Sequence, residues 1–504
     1  MRFHRILASS RRGFAGRVGV VFGGTALGQA AAFVLLPLTA QVYGADIIGQ
    51  AASVLAALGI LALVVCLQYD NALIVAHNGD VPYLMIVASL AAVGWALAIS
   101  LLCVVDPLIP EFRWAAFMRT VGIDWTLAVL LICYAPYLLL TNLHLRLNSL
   151  RKVGAGRLIY YSGGAVMQLA GGLLFGPRAE VYLLGQAVGA FVAVLYLLPY
   201  RLLPTWVIAH TQSGLSLREE MRRVVFTYRE FPQYQAGAGL LNALSINVPT
   251  VFMRIAFSDA WAGWYYVAFR ALASPANLAG QAVGQIYFRD SAERERNGQE
   301  QARAIERIVS VLLRAELIPI LILTVFAPML VDLVMGHAWA PVGVIIQLLA
   351  VSYVVTFPAS PISQILSVKR LQSRSLLFNG ILFAARVAGL YAGYRLGSEV
   401  HSVAGYSLAS ILVFLPFLRY CVHSVGGSVW RAIQPAMPEV KDVVFIALMA
   451  ILFSSQGVLN QAAVLAIIAL LAGMAAYREI GRFGLGKNGE SPRSGSESFT
   501  HKAV

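Results

Sequence analysis

Arg270, Ser274, Asn277, Gln281 and Gln285 follow one another at spacings of four, three, four and four residues. At about 100° per residue on an α-helix they form one polar stripe about 80° wide. The residues between them are almost all apolar. Two more arginines repeat the habit: Arg386 stands seven residues after Asn379, and Arg254 seven after Asn247, each pair on one helix face. Asp70, Asp124, Glu316 and Asp332 fall near the ends of apolar stretches, so the interior of these stretches is net cationic. An unpaired cation in an apolar setting is costly, so an anion or water must meet it. A guanidinium does this with a planar fork of donors. We therefore expect Arg386, Arg270, Asn277, Gln281, Asn379 and Arg254 to bind substrate. Arg386 and Arg270 lead that set because they lie deep, about 16 Å and about 12 Å from the nearer helix end. Arg254 lies close to a helix end, where snorkelling competes with binding.

Catalytic chemistry has little support. The eight histidines are scattered, with no HExxH, and the four cysteines form no CxxC. Neither a metal centre nor a disulfide framework is expected. Residues 481–487 spell GxxxxGK, but Asn488 replaces the Ser or Thr that would hold magnesium. No catalytic residue, metal or cofactor is expected, and the chain reads as a non-enzyme.

The elements that carry these residues are membrane helices. The 504-residue chain is 59% hydrophobic and only 12% charged. A soluble domain is about 25% charged. The composition excludes a soluble enzyme, a nucleic-acid binder and a disordered chain. The net charge of +14 fits cytoplasmic loops rich in Lys and Arg, not nucleic acid. A membrane span needs about 20 mostly apolar residues. On that measure spans 1–6 are 18–42, 47–67, 81–105, 123–143, 158–175 and 181–199. Spans 7–12 are 232–257, 262–288, 315–335, 342–366, 375–396 and 402–418, followed by 443–453 and 461–477. With the N-terminus inside, 31 Lys and Arg fall on the cytoplasmic side and 4 on the outer side. This asymmetry places both termini in the cytoplasm.

Span 1 carries Leu27-Gly28-Gln29 and Pro37, then a short connection with Asp46 and Gly49; span 7 carries Leu241-Asn242 and Pro249, then Asp259 and Gly263. The copies start six helices apart, so they share one orientation. The expected fold is an all-α polytopic membrane protein of about 14 transmembrane helices, in two parallel six-helix lobes plus two appended helices. The divisions are a basic amphipathic tail (1–17), an N-lobe (18–200), a cytoplasmic linker (201–231), a C-lobe (232–420), the appended helices (443–477) and a disordered cytoplasmic tail (478–504). Within the linker, Ser216 and Glu219 have capping-box spacing and start a short helix. A second polar helix is expected over 291–308. The GxxxG triplets at Gly185, Gly280 and Gly389 read as close helix packing.

The succession of residues 22–37, Gln68-Tyr69-Asp70-Asn71-Ala72, Phe231-Pro232 with Asn242 and Pro249, and Pro275, Gln285 and Ser291-Ala292-Glu293 resembles the Wzx-type polysaccharide flippases. These belong to the multidrug/oligosaccharidyl-lipid/polysaccharide exporter superfamily, and the likeness runs over about 17–478. It implies a V-shaped central cavity and flipping of undecaprenyl-pyrophosphate-linked oligosaccharide for lipopolysaccharide or exopolysaccharide synthesis. The implied partners are that lipid-linked oligosaccharide, membrane lipid, and polymerase and glycosyltransferase components. The implied location is the bacterial inner membrane. A multidrug exporter of the same superfamily, a lipid II flippase and a non-transporting scaffold of a polysaccharide assembly are the alternatives. Against the first, span 1 contains no Asp or Glu for a cationic drug.

Overall fold

Gly44 takes a left-handed φ of 74° and breaks an otherwise continuous helix, α1 (Arg2–Leu61), into two limbs. An L-residue with a side chain pays a steric penalty at that φ, so glycine allows the bend. The structure, a computed structural model, describes residues 2–105, 118, 120–198, 216–273, 291, 294, 301–363, 365–366, 369 and 371–438. All secondary structure among them is helical. After α1 come α2 (Tyr69–Val75), α3 (Val81–Val105) and α4 (Trp125–Arg146). Helix α5 (Leu150–Phe175) contains a π turn at Ile159–Gly163, and α6 is Ala179–Leu197. The linker helix α7 is Leu217–Thr227; α8 (Ala236–Ala256) and α9 (259–273) follow. Then come α10 (Ala302–Met335), α11 (Ala340–Ile362), α12 (Gln372–Arg395), α13 (Glu399–His423) and the short α14 (Val429–Ile433).

Local signals set several ends. Asp124 caps α4, its Oδ1 accepting from the amides of Thr126 at 2.9 Å and Leu127 at 3.2 Å. The capping box of α7 forms as the spacing requires: the Glu219 amide donates to Ser216 Oγ at 3.3 Å, and the Ser216 amide donates to Glu219 Oε2 at 2.9 Å. The Ser216 hydroxyl and amide hold the Glu219 carboxyl below its ordinary range. Arg223 on the same helix pairs with the buried Asp80 at 2.6 Å, and the Tyr228 hydroxyl donates to Asp80 at 3.0 Å. The linker helix is thereby fastened beside the start of α3.

Nine of the described helices are long and apolar enough to cross a membrane. Leu97, Leu101, Leu173 and Phe175 stand exposed on them, as side chains facing lipid do. This is a multi-pass membrane protein. The expected total of about 14 spans is not reached among the described residues, and 443–477 and 478–504 lie outside them. Three boundaries also differ from expectation. Span 2 stops at Leu61, where a run of turns leads through Leu67 and Gln68, both at positive φ. Span 5 begins eight residues early, at Leu150. Residues 302–308 of the expected polar helix and span 9 form one helix, α10. Hydropathy marks where a helix enters lipid, whereas backbone hydrogen bonding carries the helix on into water.

The packing repeats six membrane spans apart. In the first half α1 packs on α5, α3 on α4, α4 on α6 and α5 on α6; in the second, α8 packs on α12, α10 on α11, α11 on α13 and α12 on α13. Lipid tails are as apolar as leucine, so helix pairs in a membrane gain mainly from close contact. The glycines supply it: a Cβ at Gly189 would overlap the Gly164 backbone between α6 and α5, and one at Gly389 would overlap Gly405 between α12 and α13.

Candidate functional site

The two halves touch at the end of the molecule where α1 bends. The second limb of α1 crosses α9 so closely that a Cβ at Gly49 would overlap the Asp259 carbonyl oxygen, and one at Gly263 would overlap that of Ala45. Each glycine thus faces the carbonyl four residues before the other, as a two-fold relation between the copies demands. Gly49 matches Gly263 as the repeat expects, whereas Asp259 matches Ala45 and not Asp46. Polar side chains brace the contact. Gln50 Nε2 donates to Asp259 Oδ2 at 2.9 Å, Arg254 Nε donates to Asp259 Oδ1 at 2.6 Å, and Arg254 Nη1 donates to the Thr120 carbonyl at 3.2 Å. Gln41 Nε2 donates to the Val334 carbonyl at 3.0 Å.

Below this contact lies a cavity of about 340 Å³ between the halves. Gln29 and the second limb of α1, Tyr134 of α4, Tyr160 and Tyr161 of α5 and Gln186 of α6 line one side. Asn247 and Thr250 of α8 and Tyr266, Phe269 and Arg270 of α9 line the other. Arg270 follows Gly263 by seven residues, so it sits about 10 Å along the helix from the crossing. Its guanidinium donates to the Tyr266 hydroxyl and lies 5.7 Å from that ring's centre. Among the described residues that line this cavity, Arg270 is the one charged side chain. Such a space can hold a polar, anionic ligand of modest size.

The expected site residues are therefore not gathered in one place. Arg270 lines the cavity. Arg254 belongs to the contact at the bent end. Arg386 is buried inside the second half, donating to Ser410 Oγ and Ser245 Oγ at 2.9 Å each, with the rings of Tyr406 and Phe414 at 4.7 and 5.6 Å. It does not line the cavity, and neutral hydroxyls and ring faces meet this cation instead of a ligand. Asn379 donates to the Ser375 carbonyl of its own helix at 2.8 Å and does not line the cavity. Asn277 and Gln281 lie outside the described residues. Tyr134, Tyr160, Tyr161 and Gln186 were not expected. Only the Tyr160-Tyr161 doublet inside an apolar span could have signalled them.

The solved structures that this arrangement resembles are transporters. A lipid II flippase MurJ in an inward closed conformation matches with a TM-score of 0.62 at 12% identity, over 92% of this chain and 99% of that one. The chain shares the fold of that structure. An inward-facing multidrug resistance MATE transporter of the MOP superfamily matches at 0.52 and 13%, over 79% of this chain and 94% of that one. A MOP superfamily transporter from Pyrococcus furiosus, described as having a binding pocket of reverse polarity, matches at 0.52 and 13%, over 81% and 95%. Residues 175–343 match the family model described as "Polysaccharide biosynthesis protein". No curated protein sequence matches the chain.

Proposed function

We propose that this transporter flips undecaprenyl-pyrophosphate-linked oligosaccharide from the cytoplasmic to the outer leaflet of a bacterial inner membrane, with both termini in the cytoplasm. The observation that carries this reading is Arg270, a cation set among amides and tyrosines in a cavity between two packed halves. The polyprenyl tail stays in lipid. The pyrophosphate and sugars cross through the cavity, where polar groups replace the water they leave. The two lobes, 18–200 and 232–420, rock about that site, and the contact at the bent end is the outer seal. A membrane potential negative inside favours outward movement of two negative charges by about 4–5 kcal/mol per 100 mV. The match of residues 175–343 to polysaccharide biosynthesis proteins favours a polysaccharide precursor over lipid II. Polymerase and glycosyltransferase components are the partners this role requires.

The test is reconstitution in proteoliposomes with a fluorescent polyprenyl-pyrophosphate disaccharide, scored by quencher access to each leaflet. Wild-type protein moves the lipid, and Arg270→Ala moves it at least about tenfold more slowly per inserted molecule. Wild-type protein that leaves this lipid unmoved but carries an organic cation would overturn the reading.

A further inference from the structure

A guanidinium alone suffices to hold a phosphate, so the opposite wall of the cavity needs its own account. Tyr134, Tyr160 and Tyr161 stand there, with Tyr160 backed by Tyr137 in a stack at 4.3 Å between centroids and 14° between planes. Tyr161 meets Tyr160 edge-on at 5.0 Å, and Tyr134 leans on it at 6.0 Å. The π turn at Ile159–Gly163 carries the doublet. Such single π turns recur at functional sites. Here the turn leaves two consecutive rings on one cavity. Beside the rings Gln29 presents a buried Oε1 that accepts no hydrogen bond. A buried acceptor left so is costly unless a ligand completes it.

Ring faces carry negative charge and ring edges positive charge, so a face attracts polarised C–H groups. A pyranose offers a face of C–H groups and a rim of hydroxyls. An organic cation would also suit tyrosine faces, but Arg270 fixes a positive charge in the same cavity. We propose that the Tyr134–Tyr160–Tyr161 wall is a saccharide subsite: the sugar next to the phosphate stacks on it while Gln29 takes a hydroxyl. This rests on the reading of the cavity as the seat of a phosphate-linked saccharide.

The experiment measures dissociation constants of the purified full-length protein for polyprenyl pyrophosphate with and without one N-acetylhexosamine. Tyr160→Leu weakens binding of the sugar-bearing lipid by roughly tenfold and of the bare lipid by less than about twofold. Tyr160→Phe, which keeps the ring, stays within about threefold of wild type for both. Gln29→Leu, which removes an acceptor that no protein group uses, weakens only the sugar-bearing lipid, by roughly threefold. It also decides the matter should Tyr160→Leu fail to fold. Equal losses for both lipids in these variants overturn the subsite. So does tetraphenylphosphonium binding that Tyr160→Leu abolishes. Arg270→Gln separates this proposal from the one beneath it: loss of both lipids supports the phosphate site, and loss of neither overturns that site whatever the tyrosines do.

Discussion

Arg270 and Arg386 look alike in sequence, each a lone cation in an apolar helix, and the fold gives them different surroundings. Arg270 shares the interlobe cavity with amides and tyrosines. Arg386 is 7% exposed and spends its donors on Ser245 and Ser410, under the ring of Tyr406. These neighbours tie α12 to α8 and α13. Arg386→Met should therefore cost about 2–4 kcal/mol of stability, through lost hydrogen bonds and lost ring contact. Thermal unfolding should shift down and membrane yield should fall, while flipping per folded molecule stays within about twofold. Arg270→Ala should do the reverse. An Arg386→Met protein of normal stability that has lost transport would put Arg386 in the path of the substrate.

At the scale of elements, the crossing of α1 and α9 is the point where the halves must part if the cavity is to reach the other side. Two glycines let the helices meet backbone to backbone, and Gln50, Arg254 and Asp259 brace them. Gln50 and Asp259 touch at 2.9 Å. The pair Gln50→Cys and Asp259→Cys, in a protein with Cys66, Cys103, Cys133 and Cys421 replaced, should thus cross-link under mild oxidation. Flipping should fall at least about tenfold and return on reduction, since a closed seal blocks alternating access. Wild-type flipping by the cross-linked protein would show that this contact does not open. Leucine at Gly263 could not be read as cleanly, because its clash falls on backbone and would strain the fold as well as the seal.

For the whole molecule, the same pairings of helices recur in both halves, and the orientation proposed for the chain in the membrane rests on charge. Reporters fused after Arg222 and Lys369 should read cytoplasmic, and those after Asp259 and His337 should read outside. Alkaline phosphatase and fluorescent-protein fusions make the measurement. A cytoplasmic signal after Asp259 would turn the seal at the bent end into an inner one and reverse the direction of flipping proposed here. The charge asymmetry of 31 to 4 makes that orientation energetically poor.

Hydropathy and charge, read along the chain alone, determined that this is a polytopic helical protein, where most spans lie, that Ser216 and Glu219 cap a linker helix, and that the halves repeat. Those features depend on local composition or on hydrogen bonds within a few residues. Helix α3 falls at 81–105 as hydropathy alone requires. Tertiary structure decided which polar residues share a space. Arg270 and Tyr160 are more than a hundred residues apart, and only the packing of α5 and α9 around one void sets them on opposite walls. Helical spacing placed Asn379 and Arg386 on one face of a helix but could not say what that face meets. It meets serines and aromatic rings at Arg386, because a buried cation can be satisfied by hydroxyls and ring faces as well as by an anion. That choice is made by neighbours from other helices, and it is not written in the spacing of any one of them.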